Sequence, residues 1–311
     1  MTATSVRPQR TLASPVSLSG FGLFGGRDVT VTLRPARPDA GRRFVRVDLP
    51  GRPEIPATIA HAVEKPRRTA LRLSGPADAP PAEVEMTEHV LAALAGLGVD
   101  NCVIEVDAAE LPGMDGSALP FVEAILEAGL IDQEAASAVT AIAGTVELFR
   151  PAGQWVRAIG TGRSELSVRY SLDYGEGSPV RAAEIAFAIT PETFATELAP
   201  ARTFVTTDEI DALKAAGYGT RVTENDVLVL GPGGPVGTDF RLPDECARHK
   251  LLDVVGDLAL LGRVAAIDVT AVRSGHALNR ALARRLDMLL GSPAAGRPAT
   301  TTVPPGLSRA A

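Results

Sequence analysis

One segment constrains the fold more than any other: ECARHKLLDVVGD, residues 245–257. At about 100° per residue of an α-helix, His249, Asp253 and Asp257 fall within a sector of roughly 80°. The apolar side chains fall in the opposite sector, and they are Leu251, Val254, Val255 and Leu258. The segment therefore predicts a helix with one apolar face for a core and one ionisable stripe.

The stripe has the spacing of a metal-binding helix. A histidine and an aspartate at i, i+4 direct an imidazole nitrogen and a carboxylate oxygen toward one point. Two ligands leave a tetrahedral site incomplete, and for an isolated HxxxD pattern a solvated face with an incidental histidine is the alternative. Of the four histidines, His61 lies in a polar stretch and is expected at the surface, whereas His276 lies in SGHALN. His89 directly follows Glu88, an order that can place a general base beside a metal.

Composition excludes several classes of protein. With 311 residues, 45% of them hydrophobic, the chain suits one large or two medium domains. A net charge of −6 without a basic block argues against nucleic acid as a partner. The two cysteines, Cys102 and Cys246, predict buried thiols in a reducing compartment, with Cys246 as a weak alternative metal ligand. Since no run of about 18 apolar residues occurs, we expect a cytoplasmic protein that does not span a membrane.

The periodicity divides the chain into two α+β units followed by a tail. In residues 1–133, a turn-rich stretch at 17–28 precedes strands predicted at 29–36, 44–50, 69–75 and 101–108. Helices are predicted at 86–98, with Thr87 as N-cap, and at 118–130. In residues 134–290, after a link at 131–144, the predictions are four strands between 145 and 189, helices at 207–216, 245–262 and 276–290, and a strand at 264–272. The tail, 291–311, is rich in Pro, Ala, Gly and Thr and is predicted to be disordered.

A series of motifs connects these features. In chain order they are RTL (10–12), VTLRPA (31–36), TEHVLAALAGLGVDNCVIEV (87–106), ELPGMDGSALPFV (110–122), ARTF (201–204), RHKLLDVVGDL (248–258) and SGHALN (274–279). By these motifs the chain resembles the UDP-3-O-acyl-N-acetylglucosamine deacetylase family, zinc amidases that commit Gram-negative bacteria to lipid A synthesis. The resemblance covers roughly residues 10–290.

The resemblance implies an α+β fold of two domains with similar topology. Each domain is a β-sheet layered with helices, and the active site lies at the interface between them. The implied substrate is UDP-3-O-acyl-N-acetylglucosamine, and the implied protein is a monomer. Peripheral contact with a membrane surface stays open.

The resemblance also implies roles for individual residues. Carried over position by position, it makes His89, His249 and Asp253 the ligands of Zn²⁺, with an open position for water. Glu88 then takes the proton of the attacking water. By the same resemblance, Thr203 and His276 donate hydrogen bonds to the oxyanion, and His276 or Glu88 protonates the leaving amine. Asp257 supports His276, and Lys250 adds positive charge near the sugar. Phe204 contacts the sugar, and Arg273 contacts the nucleotide phosphates.

Three stretches depart from the pattern of the family. Phe24 stands where a GLHTG-like turn has histidine, and segments 173–180 and 217–230 lack the usual residues. These departures leave open a diverged deacetylase that acts on another N-acetylated sugar. A non-catalytic metal- or ligand-binding protein is a further alternative, although Glu88 and His276 would then be unnecessary. A structural zinc site would need Cys246 as its fourth ligand.

Overall fold

A computed structural model describes residues 6–75, 80–161, 163, 165–263 and 265–291. The strands are β1 (Val6–Leu12), β2 (Val16–Phe21), β3 (Asp28–Pro35), β4 (Arg42–Arg46), β5 (Glu54–Pro56), β6 (Ala62–Val63), β7 (Ala70–Leu73), β8 (Ala82–Glu85), β9 (Cys102–Val106), β10 (Leu130–Ala138), β11 (Thr140–Ala141), β12 (Thr145–Arg150), β13 (Gln154–Gly160), β14 (Ser167–Leu172), β15 (Ala183–Ala188), β16 (Phe204–Thr206), β17 (Leu228–Gly231), β18 (Gly234–Val236) and β19 (Ala265–Val272). The helices are α1 (Glu88–Gly96), α2 (Leu119–Ala128), α3 (Pro191–Thr193), α4 (Thr207–Ala215), α5 (Glu245–Leu258) and α6 (His276–Leu290). Apart from Gly291, the tail predicted to be disordered lies outside the described residues.

Each half of the chain builds a sheet with the same connectivity. The first has the strand order β2-β3-β9-β4-β5 and the second β12-β13-β19-β14-β15, with β11 pairing beside β19. In both sheets the central strand is antiparallel to one neighbour and parallel to the other. In chain order the central strand is also the last strand of its sheet. It lies between α1 and α2 in the first unit and between α5 and α6 in the second. The predicted α+β fold of two similar units is confirmed.

Both units have an insertion before their first long helix. In the first unit it is the small sheet β6-β7-β8, and in the second it is the sheet β16-β17-β18 with α4. Residues of both insertions reach the predicted site, as described below.

The sequence explains why the units pack through their helices. In β3, Val29, Val31 and Leu33 are buried on alternate positions, as one-sided strands require. Helix α1 is instead buried almost all round, and it contacts both α2 and α5. The ionisable stripe of α5 is consequently buried as well, since α1 covers it.

Helices α1 and α5 approach closely at Gly256. A β-carbon at this position would overlap the backbone of Glu88. Glycine in a helix interior destabilises the helix by about 1 kcal/mol relative to alanine. The close approach explains why the chain has glycine at position 256 nonetheless. It brings the polar stripe of α5 against the first turn of α1.

Several local predictions differ from the structure. In the stretch 17–28, residues 17–21 belong to strand β2, which pairs with β3, and only residues 22–27 form the connecting turn. The link at 131–144 contains β10, which pairs antiparallel with β1. Thr87 precedes α1 without capping it, and its hydroxyl donates instead to the carbonyl oxygen of Thr69 at 3.3 Å. The predicted boundary at 133–134 lies inside β10 and stays a prediction.

Other predictions concern single residues and the membrane. Cys102 and Cys246 are buried thiols as predicted, and burial raises the pKa of each to about 12. His61 is half-buried and bonds the hydroxyl of Thr58. Within the described ranges, no helix has both the length and the apolar character needed to cross a bilayer.

Candidate metal centre and active site

The first turn of α1 and the middle of α5 bring three potential ligands together. His89 comes from the first unit, and His249 and Asp253 lie one turn apart in the second. One ligand atom from each residue lies within 4.8 Å of the others, and the imidazole centroids of His89 and His249 are 5.2 Å apart. All three side chains are buried. The cluster therefore depends on the contact between the two units.

Two hydrogen bonds hold His249 and Asp253 from the outer side of the cluster. The Nδ1 atom of His249 donates to the carbonyl oxygen of Ala201 at 3.2 Å, which leaves the Nε2 lone pair directed inward. Asp253 accepts a bond from Lys250 Nζ at 2.5 Å on Oδ2, while its buried Oδ1 has no hydrogen-bond partner in the described part of the chain. An unsatisfied buried carboxylate oxygen is costly. The donor set therefore fits a bound divalent cation.

The ionisation of the three side chains also suits a metal. Burial, with the neighbouring His249, lowers the pKa of His89 to about 3. Burial likewise lowers the pKa of His249. For Asp253, burial alone would raise the pKa, but the charge of Lys250 outweighs it and holds the pKa well below its usual value. Neutral imidazoles and an ionised carboxylate are the forms that bind metals.

Glu88 and His276 lie next to each other beside the cluster. Oε1 of Glu88 lies 3.7 Å from Nε2 of His276, and Oε2 accepts the backbone N–H of Thr69 at 3.0 Å. Burial raises the pKa of Glu88 to about 7. Burial alone would lower the pKa of His276, but the charges of Asp257 and Asp253 raise it to about 9. A carboxyl group poised near neutrality thus adjoins an imidazolium.

Asp257 lies behind His276 and is fully buried. Its Oδ2 accepts from Nδ1 of His276 at 3.0 Å and from the amide of Asn279 at 2.9 Å. Its Oδ1 accepts from the hydroxyl of Thr69 at 2.5 Å. Through the bond at 3.0 Å, Asp257 holds the Nδ1 side of the His276 imidazole, and its role as a support in catalysis stays a prediction.

Three residues of this network were not predicted from the sequence. Asn279 lies in the quoted SGHALN motif, three positions after His276 on one helix face, so its spacing was a usable signal. Thr69 and Arg280 carried no local signal. Arg280 is fully buried, and its guanidinium donates to Thr69 Oγ1 at 3.2 Å and to Glu64 at 2.8 Å.

The ARTF segment reaches the centre from the insertion of the second unit. Oγ1 of Thr203 lies 3.3 Å from Nε2 of His249, and the Phe204 ring stands edge-on to the His249 ring at 6.2 Å. Arg202 fixes this segment through a buried ion pair with Glu245 at 2.7 Å. Phe204 is half-buried, and it both lines the cavity and packs against the core.

A cavity of about 730 Å³ adjoins the centre. The predicted site residues that line it are Glu88, His89, Thr203, Phe204, His249, Lys250, Asp253, Arg273 and His276. Another part of its wall is apolar, formed by Leu23, Ile210, Leu213, Val222, Val227 and Val229. The structure thus brings all the predicted residues to one place, with Asp257 alone set behind the wall.

The segments that depart from the family pattern also reach this cavity. Phe24, Tyr174 and Tyr218 each line it. Tyr174 stands edge-on to Phe204 at 5.8 Å, and Phe24 stands edge-on to Tyr218 at 5.4 Å. The departures therefore bear on what the cavity accepts.

Comparison with known proteins gives a consistent match. Residues 9–288 match the family model described as LpxC, UDP-3-O-acyl N-acetylglycosamine deacetylase. A protein of Thermosynechococcus vestitus named UDP-3-O-acyl-N-acetylglucosamine deacetylase is 39% identical over 279 residues, which cover 89% of this chain and 93% of the relative. A protein of the same name from Anaeromyxobacter sp. is 39% identical over 284 residues, covering 89% and 88%. One from Trichormus variabilis is 38% identical over 286 residues, covering 89% and 98%.

Proposed function

The chain belongs to the UDP-3-O-acyl N-acetylglycosamine deacetylase family, and from this premise we propose that it hydrolyses the N-acetyl group of UDP-3-O-acyl-N-acetylglucosamine. The products are acetate and UDP-3-O-acyl-glucosamine, and the reaction is the committed step of lipid A synthesis. The observation that carries this proposal is the convergence of His89, His249 and Asp253 at a cavity that Glu88 and His276 also line.

The metal in this proposal is Zn²⁺, held by His89, His249 and Asp253. Two imidazoles and one carboxylate are a ligand set of catalytic zinc sites, which keep one position open. Imidazole ligands favour zinc over Mg²⁺ and Ca²⁺, which prefer oxygen. When bound, zinc supplies Lewis acidity to the acetamide carbonyl and to a water molecule. Among the described residues the cluster includes no thiol, which favours this arrangement over a structural site completed by Cys246.

Glu88 acts as the general base. Its pKa of about 7 lets it accept a proton from the attacking water near neutral pH. The bond from the Thr69 N–H holds Oε2, so Oε1 faces His276. As the water oxygen bonds to the acetamide carbon, the water proton passes to Glu88.

His276 and Thr203 serve the later part of the reaction. The imidazolium of His276, held by Asp257, and the hydroxyl of Thr203 donate hydrogen bonds to the developing oxyanion. When the carbon–nitrogen bond breaks, the leaving amine takes a proton from His276 or from Glu88. Lys250 holds Asp253 ionised and adds positive charge at the cavity wall.

The cavity offers separate surfaces to the parts of the substrate. Phe204 is placed to contact the sugar ring, and the guanidinium of Arg273 suits the nucleotide phosphates. The apolar wall that includes Ile210 and Leu213 suits the 3-O-acyl chain. A nucleotide-sugar substrate accords with a cytoplasmic enzyme, and we propose that it acts as a monomer.

The test is acetate release by the purified, zinc-loaded protein. Glu88→Gln is expected to lower kcat by at least about 100-fold, because the amide cannot accept the proton of water. Zinc content, measured by atomic absorption, is expected to stay equal to that of the wild type, since Glu88 is not among the ligands.

Glu123→Gln is the matched control, because Glu123 is exposed on α2. It is expected to have wild-type activity. If the zinc-loaded wild type releases no acetate from UDP-3-O-acyl-N-acetylglucosamine, the proposed function is wrong. If Glu88→Gln retains full turnover, the role assigned to Glu88 is wrong.

A further inference from the structure

Two aromatic rings from different units meet at the wall of the cavity. Phe24 lies in the turn between β2 and β3, and Tyr218 follows α4. Their ring centroids are 5.4 Å apart in an edge-to-face arrangement, and both rings line the cavity. The backbone N–H of Gly219 also donates to the carbonyl oxygen of Phe24 at 3.4 Å. This pair, the Phe24–Tyr218 closure, is therefore a contact between the units as well as part of the cavity wall.

The turn that carries Phe24 is held firmly. The backbone N–H groups of Phe24 and Gly25 donate to the two carboxylate oxygens of Glu110 at 2.7 and 2.8 Å. A β-carbon at Gly22 would overlap that carboxylate. Above the ring, the guanidinium of Arg68 lies 4.1 Å from the Phe24 centroid. The position of the Phe24 ring is thus held by contacts to its backbone and to its face.

The segment that carries Tyr218 is tied to the first unit as well. The guanidinium of Arg221 donates to the carbonyl oxygen of Gly26 at 2.7 Å and to Asp28 at 2.6 Å. Near the start of α4, Glu209 pairs with Arg67 of the first unit at 2.6 Å. Helix α4 is therefore anchored to the first unit near both ends, with Ile210 and Leu213 lining the cavity between the anchors.

From these contacts we propose that the Phe24–Tyr218 closure sets the upper size limit of the acyl chain that the enzyme accepts. This inference rests on the proposed function. Because α4 and the segment after it contact the first unit at two points, a shift of this helix that widened the cavity would have to break both contacts. The space for the acyl chain then depends on the side chains that line the cavity, among them the rings of Phe24 and Tyr218. Two of the segments that depart from the family pattern thus act together as one specificity determinant.

The experiment measures kcat/KM of the zinc-loaded enzyme for UDP-3-O-acyl-N-acetylglucosamines of increasing acyl length. The readout is the ratio of kcat/KM for a chain that the wild type turns over poorly to that for its best chain. Phe24→Ala and Tyr218→Ala are each expected to raise this ratio at least about tenfold, since one methylene group in an apolar pocket is worth that much. Phe24→Trp is expected to move the preference toward shorter chains.

Phe149→Ala is the control, because it removes the same ring from a side chain that is 68% exposed on β12. Its length profile is expected to equal that of the wild type. If the wild type is active and neither alanine variant nor Phe24→Trp changes the ratio, the closure does not set the limit, and the proposed function still stands. If the wild type hydrolyses none of the chains, the proposed function itself fails.

Discussion

A single residue, Thr69, links Glu88, the proposed general base, to Asp257, which bonds the imidazole of His276. Its backbone N–H donates to Glu88 at 3.0 Å, and its hydroxyl donates to Asp257 at 2.5 Å. Arg280 donates to the same hydroxyl oxygen at 3.2 Å, which directs the hydroxyl proton toward Asp257. We therefore propose that Thr69 is a positioning residue, which acts on the reaction through Glu88 and His276.

Thr69→Val tests this role. Valine keeps the N–H bond to Glu88 and the shape of the side chain, but leaves one oxygen of buried Asp257 without its donor. We expect kcat to fall roughly tenfold to a hundredfold with little change in KM, because the orientation of His276 matters most after the substrate is bound. Steady-state kinetics with matched zinc content measures the effect.

Thr69→Ser is the partner variant, because it restores the hydroxyl. It is expected to recover most of the lost kcat. Equal activity of the valine and wild-type enzymes would show that the bond to Asp257 does not position His276.

At the scale of the elements, a buried ion pair lies at the start of α5. Asp244, just before the helix, has a left-handed backbone with φ of 51°. Glu245 accepts from the Arg202 guanidinium at 2.7 Å and from the Arg241 backbone N–H at 2.7 Å. This pair fixes the ARTF segment against α5, and so it sets the distance from Thr203 to His249.

Glu245→Gln is expected to destabilise the protein by about 3 kcal/mol, because the charge of Arg202 would remain buried without a counter-ion. The free energy of unfolding from urea denaturation measures the change. Glu54→Gln is the control, since Glu54 is largely exposed beside Arg43. Its expected effect is below about 1 kcal/mol. A similar small loss for Glu245→Gln would mean that the buried pair is not required to hold α5.

At the scale of the whole molecule, much of the fold follows from periodic patterns in the sequence. Strands such as β3 alternate cleanly, and α5 shows its stripe, because each buries a defined face. The motifs around His89 and His249 lie far apart in the sequence, and they predicted that the two units meet at one site. Local pattern and motif order together therefore predicted the architecture, and the residues that they singled out lie in or beside one cavity.

What the sequence could not predict depends on contacts between distant segments. Strand β10 reads IDQEAASA after its first residue and has little alternation; it is a strand because β1, more than 100 positions earlier, pairs with it. Thr69 likewise looks like any strand threonine until Asp257, 188 positions away, accepts its hydroxyl. Both features arise from tertiary structure that no local pattern contains.

A final prediction concerns Gly256, where α5 of the second unit approaches α1 of the first. If the close approach of α5 to α1 sets the distance from His249 to His89, Gly256→Ala pushes the helices apart and weakens zinc binding. We expect the dissociation constant for zinc to rise at least about tenfold, as it does when a metal site loses its supporting contacts.

The sign of the stability change makes this prediction decisive. In a helix without a close neighbour, alanine in place of glycine stabilises by about 1 kcal/mol, whereas here the overlap with the Glu88 backbone predicts a loss. Gly233→Ala is the control, because a β-carbon there meets nothing within 4 Å, and it is expected to bind zinc as the wild type does. Competition with a colorimetric chelator measures the affinity. A Gly256→Ala protein that is more stable and binds zinc normally would mean that the metal centre tolerates a wider separation of the two helices.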